Sequence, residues 1–190
     1  MLGRQETEQL LIMPVRQRGA SLIEFMIAFV VLGILVGLSI PSFRDWIVNS
    51  QVRTASDAIK DGVQLARTEA VRRNSPVRWR LPVATEAGWV IEALDRSTTT
   101  WGQVQLRSAQ ESTSSTVVAA SQTTIVFAGS GVVVPAPTQA ITVDVSNPPG
   151  GACVAQNGSG QVRCLRIVVT GGGQIRMCDP ATPSTSPTAC

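Results

Sequence analysis

The chain has 190 residues, enough for one domain with an appendage but too few for two sizeable cores. Only 15% of the residues are charged, against ~25% in an average protein, and the net charge of +3 defines no binding surface by itself. The sequence contains no His and no Tyr, so the commonest general base and zinc ligand are missing. Without a phosphate-binding loop or paired acids, an enzyme is the least favoured class, and no cofactor is expected.

Residues 22–40 form an apolar run that contains a single charged residue, Glu24. As a helix, this run would be about 28 Å long and would nearly span the hydrocarbon core of a bilayer. Two arginines, at 16 and 18, precede it, whereas the charges at 44 and 45 cancel, so the positive-inside rule places the amino end in the cytoplasm. A secretory signal peptide is the alternative, but SIPSFRDW after the run offers no A-x-A cleavage site.

The carboxylate of Glu24 requires an explanation because it lies inside the apolar run. An Asp at the centre of a membrane helix costs about 2.5–3.5 kcal/mol on insertion scales, and the cost is smaller near the membrane edge. Glu24 could extend to the lipid headgroups, or a cationic group could accompany it within the apolar layer.

The segment RQRGASLIE, residues 16–24, resembles the class III leader of type IV pilins and type II secretion pseudopilins. The resemblance implies that a prepilin peptidase cuts after Gly19 and that the new terminus, Ala20, is N-methylated. It also implies that Glu24 pairs with the terminal amine of a neighbouring subunit and thereby sets the register between subunits. Pro41 matches a proline at which the long helix of this family bends, as an interior proline favours.

Two features depart from the usual leader. The residue after the cut is usually Phe, and here it is Ala20; the 19-residue leader is also long, although initiation at Met13 would give the short leader MPVRQRG. The resemblance divides the chain into a leader, residues 1–19, a transmembrane and filament-core helix, residues 20–48, and a periplasmic head, residues 49–190.

Beyond Pro41 the apolar residues fall mostly at spacings of three and four, which predicts an amphipathic helix; they are Ile47, Ala55, Ile59, Val63, Ala66 and Ala70. The whole helix would run over residues 22–73 and measure about 78 Å, with its second half covered by a sheet. Asn74 tolerates a left-handed cap and Ser75 precedes Pro76, so the helix should end here.

The segment LARTEAVRRNSPVRWRL, residues 65–81, resembles the signature of the GspH/FimT family of minor pilins and pseudopilins. Later segments resemble the same family; they are residues 88–91, 124–127 with Gly129 and Gly131, and 163–180. The resemblance implies an α+β, type IV pilin-like fold in which a long amino-terminal helix, half transmembrane and half amphipathic, packs on an antiparallel β-sheet head.

Alternation of apolar and polar residues predicts half-buried strands over residues 77–81 and 141–145. Further strand candidates, separated by Gly, Pro and Asn, are residues 89–94, 104–107, 124–127, 132–134 and 162–169. Segments rich in Ser, Thr, Gly or Pro predict surface loops at 108–123, 146–151 and 181–190.

The four cysteines all lie within residues 153–190, which favours disulfides in an exported domain. An antiparallel hairpin around the three glycines of residues 171–173 that sets Cys164 opposite Cys178 gives one wholly apolar face, because Leu165 then opposes Met177 and Ile167 opposes Ile175. This register predicts a Cys164–Cys178 bridge and leaves Cys153 to pair with Cys190. The alternative pairs Cys153 with Cys164 and Cys178 with Cys190. No metal is expected, because the cysteine spacing lacks the close pairs of a zinc site.

The same register places Arg166 beside Arg176, an unfavourable like-charge pair unless an anion lies nearby. DNA-binding members of the family carry a Gly-Arg-x-Arg type segment, and only Arg176 of the matching GQIR, residues 173–176, retains the charge. DNA binding through Arg163, Arg166 and Arg176, with Arg78 and Arg80 as further candidates, is therefore a secondary hypothesis. These arginines are otherwise expected to be solvated surface charges.

The favoured function is that of a minor pilin, a structural subunit that primes or assists pilus assembly at or near the tip. The partners that the resemblance implies are the prepilin peptidase, other minor pilins, the major pilin, the inner-membrane assembly platform and, before assembly, inner-membrane lipid. The alternative is a type II secretion pseudopilin, which shares the leader and fold; the cysteine-rich end and the segment MCDP, residues 177–180, resemble pilus members more closely.

Overall fold

The computed structural model describes residues 21–109 and 115–190, with only the backbone of residues 39–42. Along the chain, the helix α1 (Leu22–Arg73) precedes the strands β1 (Val77–Arg80), β2 (Trp89–Asp95), β3 (Thr100–Arg107), β4 (Val117–Ala120), β5 (Thr124–Phe127), β6 (Ile141–Ser146), β7 (Leu165–Val169) and β8 (Ile175–Cys178). A short 3-10 turn, Pro148–Gly150, follows β6. The chain divides between Ile40 and Pro41 into two compact units.

The helix has the bounds that the sequence predicts. Ser21 precedes it, and the Ser21 carbonyl accepts hydrogen bonds from the backbone N–H groups of Glu24 and Phe25 at 3.0 and 3.3 Å. At the other end Asn74 takes a left-handed conformation with φ of 45°, and the N–H of Ser75 donates to the Ala70 carbonyl at 3.2 Å. The Asn-Ser-Pro sequence therefore ends the helix as predicted.

The strands form two antiparallel sheets of four, in the orders β3-β2-β1-β5 and β4-β6-β7-β8. The second half of α1 packs on them through a stripe of seven buried small and aliphatic side chains, namely Val52, Ala55, Ala58, Ile59, Val63, Ala66 and Ala70. Trp89 of β2 lies against Gly62, and its indole N–H donates to the Ala58 carbonyl at 3.0 Å. The helix and the inner faces of both sheets share one apolar core. The α+β fold predicted from the resemblance is confirmed.

Three strand predictions need correction. Residues 117–120, predicted as loop, form β4, in which only Val118 is fully buried. Residues 132–134 form no strand, and Val133 makes one isolated bridge to Phe127; Pro135, which has no N–H, follows directly and cannot extend the ladder. The strand predicted over 162–169 begins only at Leu165.

The predicted register of the β7–β8 hairpin is wrong by two residues. Arg166 lies opposite Cys178 and Ile167 opposite Met177, whereas the prediction set Cys164 opposite Cys178. The turn decides the register: the N–H of Thr170 donates to the Gln174 carbonyl at 3.0 Å, which closes a three-residue loop with Gly173 at a φ of 79°. Such a loop favours glycine at its left-handed position.

The predicted disulfide pairing is wrong for the same reason. The structure contains the alternative bridges, Cys153–Cys164 and Cys178–Cys190, with Cα–Cα distances of 5.4 and 5.1 Å. The observed register places Cys178 beyond Cys164, which lies just before β7, so these two residues do not oppose one another. Each bridge instead closes a loop local in sequence, and all four cysteines are oxidised as expected.

Candidate functional site

The first half of α1 presents an apolar surface. Every large apolar side chain from Leu22 to Leu38 is at least 49% exposed. Among the residues that the structure describes, α1 is the one helix that is long and apolar enough to cross a membrane, by length and composition alone. A continuous apolar surface of this size is a poor match for water and requires lipid or other protein as its neighbour.

Glu24 lies in the first turn of this surface. A carboxylate near a helix N-terminus is favoured by the helix dipole, yet among residues 21–109 and 115–190 Glu24 makes no ion pair. Gly19 and Ala20 lie outside the described residues, so the pairing of Glu24 with a terminal amine stays a prediction. The bend expected at Pro41 also stays a prediction, since α1 is assigned through this position.

The segments that resemble the family signature meet at the carboxyl-terminal end of α1. The Arg67 guanidinium donates through Nε to the Gly131 carbonyl at 3.1 Å. Gly131 and Gly173 both have positive φ, and a Cβ at Gly173 would collide with the Gly131 carbonyl. A Cβ at Gly129 would likewise collide with the helix cap at Asn74. These signature residues therefore hold the helix end against two loops, which is a structural role.

Glu69 binds the two arginines that follow it on α1. Its carboxylate accepts from Arg72 at 2.7 Å and from Arg73 at 2.8 Å. Hydrogen bonds, first from Arg72 and then from Arg73, lower the pKa of Glu69 from 4.5 to about 2. The pair Arg72 and Arg73 is therefore engaged within the helix end.

Arg78 and Arg80 on β1 share the carboxylate of Glu92 on β2, at 2.7 and 3.4 Å. The hydrogen bond from Arg78 is the main reason that the pKa of Glu92 is lowered. The Arg78 guanidinium also lies 4.4 Å from the ring centroid of Trp101. This cluster lies on the outer face of the first sheet. Its two arginines and one acid together carry a net charge of +1.

The three arginines of the DNA-binding hypothesis each have a partner within the head. Arg166 contacts Asp144 through two hydrogen bonds of 2.6 and 3.0 Å. Arg163 forms an ion pair with Asp179 at 3.3 Å. Arg176 donates to the carbonyls of the last two residues, at 3.0 Å to Cys190. Arg166 is thus neutralised by Asp144, a partner that was not predicted from the sequence. The predicted opposition of Arg166 and Arg176 is absent from the observed register.

Residues 46–53 of α1 and the β7–β8 hairpin line a groove of about 570 Å³, here called the helix–hairpin groove. Its lining comes from three parts of the chain: α1 contributes Trp46, Asn49, Ser50 and Arg53; the hairpin region contributes Arg163, Leu165, Met177 and Cys178; and the terminal loop contributes Asp179 and Thr188. This groove was not predicted from the sequence. The one local signal is Trp46, a large aromatic residue that lies beyond the apolar run and is 65% exposed.

No group of three or more Cys, Asp or Glu side chains within residues 21–109 and 115–190 is arranged to hold a metal ion. The acids that form ion pairs within these residues all contact arginine; they are Asp57, Glu69, Glu92, Asp144 and Asp179.

The comparisons with known proteins agree with this description. The family model described as type II transport protein GspH matches residues 55–173, which is more than half of the chain. A second model, the prokaryotic N-terminal methylation motif, matches residues 15–40. None of the curated proteins matches the chain.

Two solved structures illustrate the similarity. The type IV minor pilin FimU of Pseudomonas aeruginosa has 16% identity and a TM-score of 0.53, over 74% of this chain and 96% of that chain. The minor pseudopilin EpsH from the type 2 secretion system of Vibrio cholerae has 12% identity and a TM-score of 0.49, over 70% of this chain and 99% of that chain. The likeness to FimU shows the fold. With the family match over most of the head, the chain belongs to the GspH family of structural filament subunits, the minor pilins and pseudopilins of type IV pili and type II secretion systems.

Proposed function

We propose that this chain is a minor pilin of a type IV pilus that primes or assists assembly at or near the tip. The observation that carries the proposal is the exposed apolar surface from Leu22 to Leu38 with Glu24 as its one charged side chain. Such a surface is compatible with a membrane before assembly and with the packed helices of neighbouring subunits afterwards.

Processing would convert the precursor into the assembling form. The prepilin peptidase removes residues 1–19 after Gly19, and Ala20 becomes the methylated amino terminus. Residues 20–48 then serve as membrane anchor and filament core, while residues 49–190 form the periplasmic head. The match of residues 15–40 to the N-terminal methylation motif supports this division.

The pairing of Glu24 with the Ala20 amine of an adjacent subunit would fix the axial offset between neighbours. A charge buried without its partner is strongly unfavourable, whereas the paired charge is tolerated. Subunits in the wrong register would leave Glu24 unpaired among apolar side chains. The carboxylate would therefore select one register, and Pro41 would let the helix bend within the filament-core segment.

Family membership implies contacts with other pilins and with the assembly machinery. The specific partners that we propose are the other minor pilins, the major pilin and the inner-membrane assembly platform. Inner-membrane lipid surrounds residues 22–40 until the subunit leaves the bilayer. The two disulfides of the head support a location in an oxidising compartment.

A type II secretion pseudopilin is the second candidate, favoured by the description of the matching family as a type II transport protein. The two functions share the leader, the core helix and the head. They are separated by isolating each filament from the producing cells: the pilus proposal expects the chain in pili, and the alternative expects it in the secretion pseudopilus.

Substitution of Glu24 tests the proposal. Glu24→Ala should leave cleavage after Gly19 intact and prevent the mature subunit from entering filaments. The matched control is Glu86→Ala, which removes an exposed carboxylate from the head. Immunoblots of sheared filaments and of membranes measure both steps. Normal incorporation of Glu24→Ala would contradict the registry role.

A further inference from the structure

The helix–hairpin groove combines an apolar interior with a basic rim. Trp46 is 65% exposed, and Leu165 and Met177 are partly buried beside it. Arg53 and Arg163 have side chains that are each 70% exposed. Aromatic residues, Met and Arg are the residue types enriched at protein interfaces, and Trp and Arg most often dominate their binding energy.

The helix–hairpin groove presents positive charge to a binding partner. Asp179, the one acid in its lining, is only 9% exposed and is already paired with Arg163. Arg53 faces Asp57 at 3.7 Å, a long contact between exposed side chains that contributes little to stability. Arg163 and Asp179 thus neutralise one another, whereas the exposed Arg53 guanidinium is held only by its long contact with Asp57 and can bind a further carboxylate, which favours an acidic partner.

Both disulfide-closed loops take part in building the groove. Arg163 directly precedes Cys164 and Asp179 directly follows Cys178, so their ion pair joins one closed loop to the other. The backbone N–H of Arg163 also donates to Asn49 Oδ1 at 2.7 Å, which ties the first loop to α1. The lining is therefore held in position before any partner arrives, which reduces the entropy lost on binding.

We propose that the helix–hairpin groove is a docking site for the neighbouring subunit of the filament, which inserts a large apolar side chain flanked by a carboxylate. The apolar side chain packs against Trp46, Leu165 and Met177, and the carboxylate binds Arg53 at the rim. This inference rests on the proposed function, because it requires the chain to lie beside other pilin-class subunits.

Photocrosslinking in assembled filaments tests the docking. Full-length protein carries the photoreactive residue benzoylphenylalanine in place of Arg53 or, as the control, in place of Lys60. Lys60 lies seven residues further along α1, close to two helical turns, and outside the groove lining. The residue-53 probe should form an adduct with a pilin-class subunit, through a peptide that contains Asp or Glu, about tenfold more strongly than the residue-60 probe.

A charge reversal provides the second measurement. Arg53→Glu should lower incorporation into filaments about tenfold relative to Lys60→Glu, with unchanged processing and thermal unfolding. Three results would overturn the groove assignment: equal crosslinking at residues 53 and 60, an adduct with lipid, or equal incorporation of both variants. None of these results contradicts the proposed function as long as the wild-type chain enters filaments. Absence of the wild-type chain from every pilin-type filament would instead contradict the proposed function.

Discussion

Arg166 on β7 and Asp144 on β6 are register partners, and the guanidinium binds both carboxylate oxygens, at 2.6 and 3.0 Å. The hydrogen bonds to Asp144 raise the pKa of Arg166 above its ordinary value. This pair occupies the outer face of the second sheet, where the sequence had placed an unfavourable Arg166–Arg176 contact. An arginine in this position is favourable only with an acid nearby, and Asp144 on the neighbouring strand β6 supplies that acid.

A double-mutant cycle measures this pair. Arg166→Ala and Asp144→Ala should each lower the free energy of unfolding, and together they should lower it by less than the sum, with a coupling of about 0.5–1 kcal/mol because both side chains are partly exposed. Urea unfolding of residues 41–190, one compact unit, provides the values. Arg176→Ala with Asp144→Ala is the control, for which additive effects are expected; equal coupling in both cycles would contradict the assignment.

The engagement of the head arginines bears on nucleic-acid binding. Phosphate contacts act through several cations together, and the arginines at 166 and 176 are already bound within the head. We expect residues 41–190 to give no mobility shift with duplex DNA at low salt, and the Arg166→Ala/Arg176→Ala variant to behave identically. A wild-type shift that the double variant loses would establish the DNA-binding hypothesis instead.

The pH dependence of stability should report Glu69. Its pKa is lowered to about 2 by Arg72 and Arg73, so its stabilising effect is complete above its unfolded pKa of 4.5 and is lost as pH falls through about 2. Glu69→Gln should therefore destabilise the head by about 1 kcal/mol near neutral pH, and the difference should shrink between pH 4.5 and 2. Urea unfolding at several pH values checks this. A difference independent of pH over that range would exclude the ion pairs as its cause.

Trypsin separates the two possible disulfide patterns. Cleavage after Arg163, Arg166 and Arg176 should yield residues 108–163 bridged to residues 164–166, and residues 177–190 as one internally bridged peptide. The Cys164–Cys178 pattern would join all three peptides. Mass spectrometry without and with reductant distinguishes these products. Because each bridge closes a short loop, replacing either pair by Ser should cost about 3 kcal/mol of stability.

The sequence predicts the fold's main elements because their signals are local. The spacing of the apolar residues on α1, the Asn74 cap and the alternation around Val77 and Val143 each reflect a single element meeting one core. β4 escaped prediction because Val118 alone is fully buried, so four residues in a Ser- and Thr-rich segment carry no periodic signal.

The pattern of buried residues does not determine the register of the β7–β8 hairpin. A slip of one residue moves every side chain to the other face, but a slip of two restores the faces, so Leu165, Ile167 and Ile175 satisfy either register equally. The discrimination comes from the three-residue turn with Gly173 at positive φ. The predicted disulfide pairing depends on this register, so an error of two residues in the register also gives the wrong pairing.

The helix–hairpin groove could not be predicted from local sequence patterns. Its lining joins residues near 50 with residues near 165 and 180, which only the packing of α1 against the second sheet brings together. The ion pair between Arg163 and Asp179 likewise links two loops whose proximity depends on the disulfide connectivity. Surfaces of this kind depend on the completed fold.

The amino terminus of the mature subunit tests the central claim most directly. Mass spectrometry of the chain isolated from filaments should find a protein that begins at methylated Ala20, whereas Gly19→Ala should accumulate in the membrane with the first nineteen residues attached. A wild-type chain that retains the residues before Ala20 and remains a solitary membrane protein would contradict the account.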